Sequence, residues 1–236
     1  MSDSSIPSSG AATSSPPTSL SQHLHEAALP LWEAQLEHPF VQGIADGSVE
    51  EERFARWVRQ DDLYLKEFAR VFAWAVAKAD TLQAMGWYAQ VLDLTLNTEM
   101  ELHRSYAARF GITVEELEAE PMWPTTRAYT DFLVRTSADG DMLDLLAALL
   151  PCAWGYLFIA RTMHSWGTSP DQRYADWVAM YVSDEFAEAT DRLRAEMDRL
   201  GAGISQAKRA RLEEIFVISS RYEERFWEMC WAGEAW

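Results

Sequence analysis

From Ser21 onward, apolar residues recur at intervals of three and four along almost the whole chain, and no segment alternates apolar with polar between two turn signals. A chain patterned this way can bury its apolar stripes only by packing helices against one another, so the class is all-α. The spacing predicts helices over about 21–36, 50–79, 81–110, 124–137, 141–164, 170–200 and 205–231. Breakers separate them: the His38-Pro39 corner, Asp46-Gly47, Gly111, Glu120-Pro121, Asp139-Gly140, Gly167 to Pro170, and Gly201 to Gly203. Short connections between long helices make antiparallel neighbours, hence a single-domain antiparallel bundle over residues 21–236 with its sites between facing helices. Residues 1–20, rich in Ser, Thr and Pro and nearly free of large apolar groups, are expected to form a flexible tail.

Charge narrows the function. The formal net charge of −17 over 236 residues, with no Lys/Arg cluster, sets the molecular field against a phosphate backbone, so direct nucleic-acid binding is not expected. The apolar content of 48% suffices for a sizeable core. No run reaches the roughly 18 consecutive apolar residues of a membrane span, and the N-terminus has no signal-like apolar core. With only two well-separated cysteines, Cys152 and Cys230, a soluble protein of the reducing cytoplasm is expected.

Three stretches place chemistry on apolar helix faces. In LLPCAWGYLFIA (149–160), Cys152 and Tyr156 share a face one turn apart, and Pro151 removes a backbone donor and leaves a carbonyl free beside the sulfur. A lone cysteine in such a helix is ordinarily an inert hydrophobe. In RWVRQDDLYLKEF (56–68), Asp61 interrupts the stripe of Trp57, Val58, Tyr64, Leu65 and Phe68, while Asp62 points about 100° away toward expected solvent. A buried carboxylate needs a partner, and an amino group on a ligand would serve. In FVISSRYEERFW (216–227), Glu223 lies among aromatics, surroundings that raise a carboxyl's pKa and let it hold a proton near neutrality. Elsewhere, NTEMELH (97–103) invites a metal, but none of the five histidines follows a glutamate by three residues, so the di-iron pattern fails. His103 is then expected to bond within its own helix, to Glu99. One proximal histidine suffices for haem, which leaves His23 or His25 as candidates for that alternative.

HPFVQGIADGS (38–48), QDDLYL (60–65), ALLPCAWGY (148–156) and FVISSRYEERFW (216–227), in this order, resemble the TenA family of thiaminase II or aminopyrimidine aminohydrolases, within the haem-oxygenase-like superfamily. The resemblance spans about residues 21–231. It implies a haem-oxygenase-like helical fold, a homotetramer, and a small-molecule substrate, an aminopyrimidine or thiamin, with no cofactor or metal. It also implies roles: Cys152 as nucleophile, Glu223 as proton donor, Tyr64 as support for the thiol, Asp61 as reader of the pyrimidine, and Tyr129, Tyr156 and Tyr181 as walls of the ring pocket. Glu224 stands where the family usually carries a tyrosine, which leaves the packing beside Glu223 open.

The residue types suit such a reaction. A thiolate added to an electron-poor pyrimidine removes its aromaticity, after which the ring's amino group can push out a substituent amine that an acid protonates. The expected activity is hydrolysis of 4-amino-5-aminomethyl-2-methylpyrimidine to the hydroxymethyl compound and ammonia, as thiamin salvage, with thiamin cleavage as a side activity. Two other readings fit the same fold: a non-catalytic binder of a pyrimidine or haem-like ligand, and an indirect effect on transcription.

Overall fold

A computed structural model describes residues 19–234 and 236, and among them regular structure is helical throughout, without a strand. The expected tail falls outside the described residues up to residue 18. Eleven α-helices follow in order: α1 (Leu20–Leu36), α2 (Pro39–Asp46), α3 (Glu51–Lys78), α4 (Leu82–Leu94), α5 (Met100–Ala108), α6 (Val114–Ala119), α7 (Pro124–Asp139), α8 (Met142–Trp166), α9 (Gln172–Tyr181), α10 (Asp184–Leu200) and α11 (Gln206–Ala232), with a π-turn, Thr95–Glu99, joining α4 to α5.

Local signals set most boundaries. Ser19, Thr81, Asp141, Ser183 and Ser205 each cap a helix with a side-chain oxygen. At the Asp46-Gly47 break, Gly47 adopts φ +79°, a left-handed conformation that favours glycine, and ends α2. Two predicted helices prove divided. The 81–110 helix is interrupted by the π-turn, an insertion into the helical ladder that needs no Gly or Pro and so leaves no breaker in the sequence. The 170–200 helix splits at Val182-Ser183, where the Ser183 hydroxyl takes the Phe186 N–H at 3.3 Å and starts α10. The short α2 and α6 fall inside stretches read as connections.

The bundle is organised around α8. Its start carries a reciprocal cap between Asp141 and Asp144, and Asp144 is also gripped by Lys208 at 2.9 Å and Arg211 at 3.0 Å from α11. Burial opposes ionisation of Asp144, but these bonds outweigh it and hold the carboxyl below its usual range. By length and composition α8 could cross a membrane, because its mean hydropathy is high although its apolar run is not unbroken. In the fold, 78% of its most apolar window is buried against other helices. α11, α10, α7, α9, α3 and α1 all pack on it.

Around this axis Trp32, Trp57, Trp177 and Trp227 are fully buried, and truncating such a ring typically costs about 3–5 kcal/mol. Two of them also tie helices together: Trp32 Nε1 donates to Ser220 Oγ at 3.0 Å, and Trp227 Nε1 donates to Gln35 Oε1 at 2.9 Å. Gln60, fully buried on α3, donates to Glu120 and to the Pro121 carbonyl, and accepts from Trp123 N and Thr126 Oγ1. That amide locks the entrance of α7 against α3. One turn further along α3, Tyr64 meets Tyr129 of α7.

Candidate active site

The seven residues singled out above come together in one aromatic interior between α3, α7, α8, α9 and α11. Pro151 cannot continue the α8 ladder, and the turn before it is met from α11: Ser219 Oγ donates to the Ala148 carbonyl at 2.6 Å. Ser219 thereby draws α11 against the cysteine's turn, whereas the carbonyl that Pro151 leaves without a helical donor is that of Ala147, four residues before it. Four residues further along α11, the same face presents Glu223.

Glu223 is 4% exposed and hydrogen-bonds Tyr129, whose hydroxyl also lies 3.2 Å from Ser219 Oγ. Burial lifts the Glu223 carboxyl to about 7, against the pull of the Tyr129 hydrogen bond. It therefore exchanges a proton at neutral pH, as expected from its aromatic setting. Tyr129 stacks on Tyr222 at 5.2 Å and meets Tyr64 at 5.3 Å. Tyr222 thus supplies aromatic packing beside Glu223, and Glu224 lies off this face, only partly buried.

Cys152 is half-buried. Burial pushes its thiol well up, the Glu223 charge adds to that, and the Tyr64 hydroxyl beside the sulfur works the other way. The Tyr64 hydroxyl is itself buried and closes no well-formed hydrogen bond among the described residues. A carboxyl of near-neutral pKa, Glu223, lies within electrostatic reach of the sulfur.

Asp61 is 7% exposed, and burial, with Glu99, Glu223 and Asp62 adding to it, pushes its carboxyl well up. Its side-chain neighbour is His103 of α5, with Nδ1 at 3.5 Å from Oδ2. The expected contact of His103 within its own helix is not made: Nε2 instead donates to the Val58 carbonyl of α3 at 2.8 Å. A carbonyl can only accept, so the neutral imidazole keeps its proton on Nε2 and turns a bare Nδ1 toward Asp61. Burial lowers the His103 pKa and raises that of Asp61, and both shifts disfavour an ion pair between them. Asp62, expected in solvent, is instead 1% exposed and paired with Lys66 Nζ at 2.6 Å. The α5 and π-turn segment covers that side of α3, which helical spacing alone could not show.

Tyr156 and Tyr181 form the remaining wall, 4.9 Å apart, with Tyr156 also 5.2 Å from Trp227 and receiving Trp57 Nε1 at 3.4 Å. Glu99, at the end of the π-turn, is a further carboxyl raised by burial whose charge reaches Asp61 and Cys152. Sequence reasoning met Glu99 and His103 as metal candidates and then as an intrahelical pair. Their signal was the polar interruption of NTEMELH, but the partner helix was not legible. Ser219 was seen as a helical interval without a task. Among the described residues no cluster of three or more His, Cys, Asp or Glu is arranged to hold a metal. The haem candidates are engaged elsewhere: His23 Nε2 lies 2.9 Å from Glu213, and His25 stacks on Trp154 at 4.6 Å.

The profile described as the TENA/THI-4/PQQC family matches residues 25–233. An aminopyrimidine aminohydrolase of Halalkalibacterium halodurans is 44% identical over 219 residues, covering 92% of this chain and 98% of its own. Among solved structures, a TenA homologue from P. horikoshii OT3 superposes with a TM-score of 0.84 at 28% identity, covering 91% of this chain and 99% of its own. A domain of unknown function from Shewanella denitrificans OS217, described as having a heme oxygenase-like fold, superposes with a TM-score of 0.70 at 15% identity over 89% of this chain and 91% of its own, and so bears on the fold alone. By sequence over nearly its whole described length and by fold, the chain belongs to the TENA/THI-4/PQQC family.

Proposed function

We propose that this protein is an aminopyrimidine aminohydrolase of the thiaminase II type, releasing ammonia from 4-amino-5-aminomethyl-2-methylpyrimidine and cleaving thiamin more slowly. The observation that carries the reading is the meeting, from three separate helices, of a sulfur (Cys152), an acid of near-neutral pKa (Glu223) and a buried carboxyl (Asp61) among aromatic rings. The Halalkalibacterium halodurans relative bears the same activity in its name.

In this mechanism Asp61 accepts a hydrogen bond from the ring's amino group and sets its orientation, while Tyr129, Tyr156 and Tyr181 stack around the ring and exclude water. The Cys152 thiol passes its proton to the Glu223 carboxylate as the sulfur bonds to the ring, with Tyr64 steadying the developing thiolate. The ring's amino group then expels the substituent: the carbon–nitrogen bond breaks and the Glu223 proton goes with the nitrogen as ammonia. Water adds to the exocyclic methylene and gives a proton to the Glu223 carboxylate. The carbon–sulfur bond breaks, and Glu223 returns that proton to the sulfur. Protein side chains supply every step, so the mechanism calls for no cofactor.

The free thiols of Cys152 and Cys230 suit a reducing cytoplasm. A homotetramer accounts for the apolar side chains left in water along α4, the π-turn and α5, Leu82, Leu94, Leu96 and Leu102. The test of function is ammonia release from the aminomethylpyrimidine by the purified chain, beside thiamin and beside Cys152→Ser. Turnover by the wild type with none by the variant is expected. Normal turnover by Cys152→Ser would overturn the nucleophile assignment, and no ammonia from the wild type would overturn the reaction.

A further inference from the structure

Glu223 has to receive and give protons in alternation, and a carboxyl held by a fixed donor does only one of these well. A single donor favours the carboxylate, while a single acceptor favours the acid. What surrounds Glu223 is neither. Its hydrogen-bond partner is a hydroxyl, Tyr129, which contacts a second hydroxyl, Ser219 Oγ, at 3.2 Å. Ser219 in turn donates to a backbone carbonyl, Ala148, at 2.6 Å. The chain Glu223, Tyr129, Ser219, Ala148 is fully buried and ends on a group that can only accept.

The proton count along it is closed. Ser219 has one proton, and the Ala148 carbonyl takes it. The Ser219 oxygen therefore faces Tyr129 as an acceptor only. Tyr129 also has one proton, with two places to put it: the Glu223 carboxylate, or the Ser219 oxygen. When Glu223 is ionised, Tyr129 donates to it. When Glu223 is protonated, its O–H donates to the Tyr129 oxygen, and the Tyr129 proton turns to Ser219. The two states differ by rotation of one hydroxyl, with no heavy atom moving.

We propose that Ser219 is a positioning residue for the reaction proposed above: by accepting the Tyr129 proton, it lets Tyr129 serve as hydrogen-bond acceptor to protonated Glu223, so that one carboxyl works as both base and acid. Its neighbour Ser220 has no such part. It accepts from Trp32 Nε1 and donates to the Phe216 carbonyl within its own helix.

Ser219→Ala removes the alternative acceptor. Tyr129 then has only Glu223 to donate to, which favours the carboxylate and lowers the Glu223 pKa. One hydrogen bond of ordinary strength corresponds to a shift of about one pH unit. The ionisable groups facing Glu223 are Asp61 and Tyr64 from α3, Tyr129 from α7, and Cys152 and Tyr156 from α8, and none of them is altered by the substitution.

The experiment titrates the Glu223 side chain by carbon-13 NMR in unliganded wild type, Ser219→Ala and Ser219→Thr, and records the pH profile of ammonia release for the same three. The expected result is a midpoint near 7 in wild type, a fall of about one unit in Ser219→Ala with the acidic limb of the rate profile moving down equally, and recovery of both in Ser219→Thr. A serine that merely packs α11 against α8 would lower the rate at every pH and leave the midpoint in place, and that outcome would overturn the proposal. So would a rise in the midpoint. If the wild type releases no ammonia the proposed reaction fails, while the NMR titration still decides whether Ser219 governs the proton on Glu223. Should Ser219→Ala fold poorly, the midpoint in Ser219→Cys, whose thiol is a much weaker acceptor, must fall as well, and an unchanged value there refutes the idea.

Discussion

A carboxyl held near pKa 7 in the folded protein and near 4.5 when unfolded costs stability, and Glu223→Gln measures how much. Glu223 is raised by burial, so the unfolded chain releases this proton at lower pH than the folded one. Below about pH 4.5 the acid is neutral in both states and carries no penalty. As pH rises toward 7 the unfolded state ionises first and is favoured. Above 7 both states are ionised and the penalty is constant. A shift from 4.5 to about 7 corresponds to roughly 3 kcal/mol at pH 8. Glutamine matches the shape of the neutral acid, can still accept from Tyr129, and removes the titration. Urea unfolding of wild type and Glu223→Gln at pH 5 and pH 8, at one protein concentration, should show the variant gaining about 2.5 kcal/mol relative to wild type between the two pH values, because part of the penalty is already present at pH 5, while it loses ammonia release. The other buried carboxyls are common to both proteins and largely cancel. A stability difference that stays flat between pH 5 and pH 8 would refute the placement of Glu223 as a buried acid of near-neutral pKa.

Four further outcomes are expected. Tyr129→Phe removes a donor to the carboxylate and should move the acidic limb of the rate profile up by about one unit, opposite to Ser219→Ala, as a pH profile of ammonia release would show. Asp61→Ala should weaken binding of the unreactive 4-amino-2,5-dimethylpyrimidine by about 10–100-fold, read by calorimetry, because it removes the acceptor for the ring's amino group. Lys66→Met leaves Asp62 buried without its counter-ion and should lower unfolding free energy by about 2 kcal/mol, less than for a fully enclosed pair since the ammonium is partly in water. Gln60→Ala should cost about 2–4 kcal/mol in urea unfolding, since four hydrogen-bonding groups at the α3–α7 contact lose their partners at once.

The pattern of apolar residues determined the class and most of the helix order, because a 3.6-residue periodicity is a local property that each helix carries in its own sequence. It also placed Cys152, Tyr156, Asp61, Tyr64 and Glu223 on buried faces, while the assignment of roles came from motif resemblance. Tertiary structure alone decided the rest. Asp62 looked solvated because its own helix turns it from the core, and it is buried only because α5 and the π-turn cover that side. His103 sits one turn after Glu99, yet its partners, the Val58 carbonyl and the Asp61 carboxyl, lie on a helix some 40 residues earlier in the chain. Ser219 is an unremarkable serine in sequence and acquires a task from a carbonyl on α8 and a hydroxyl on α7. Which groups share a proton depends on contacts between helices, and those are set by packing across the bundle rather than by the periodicity along any one of them.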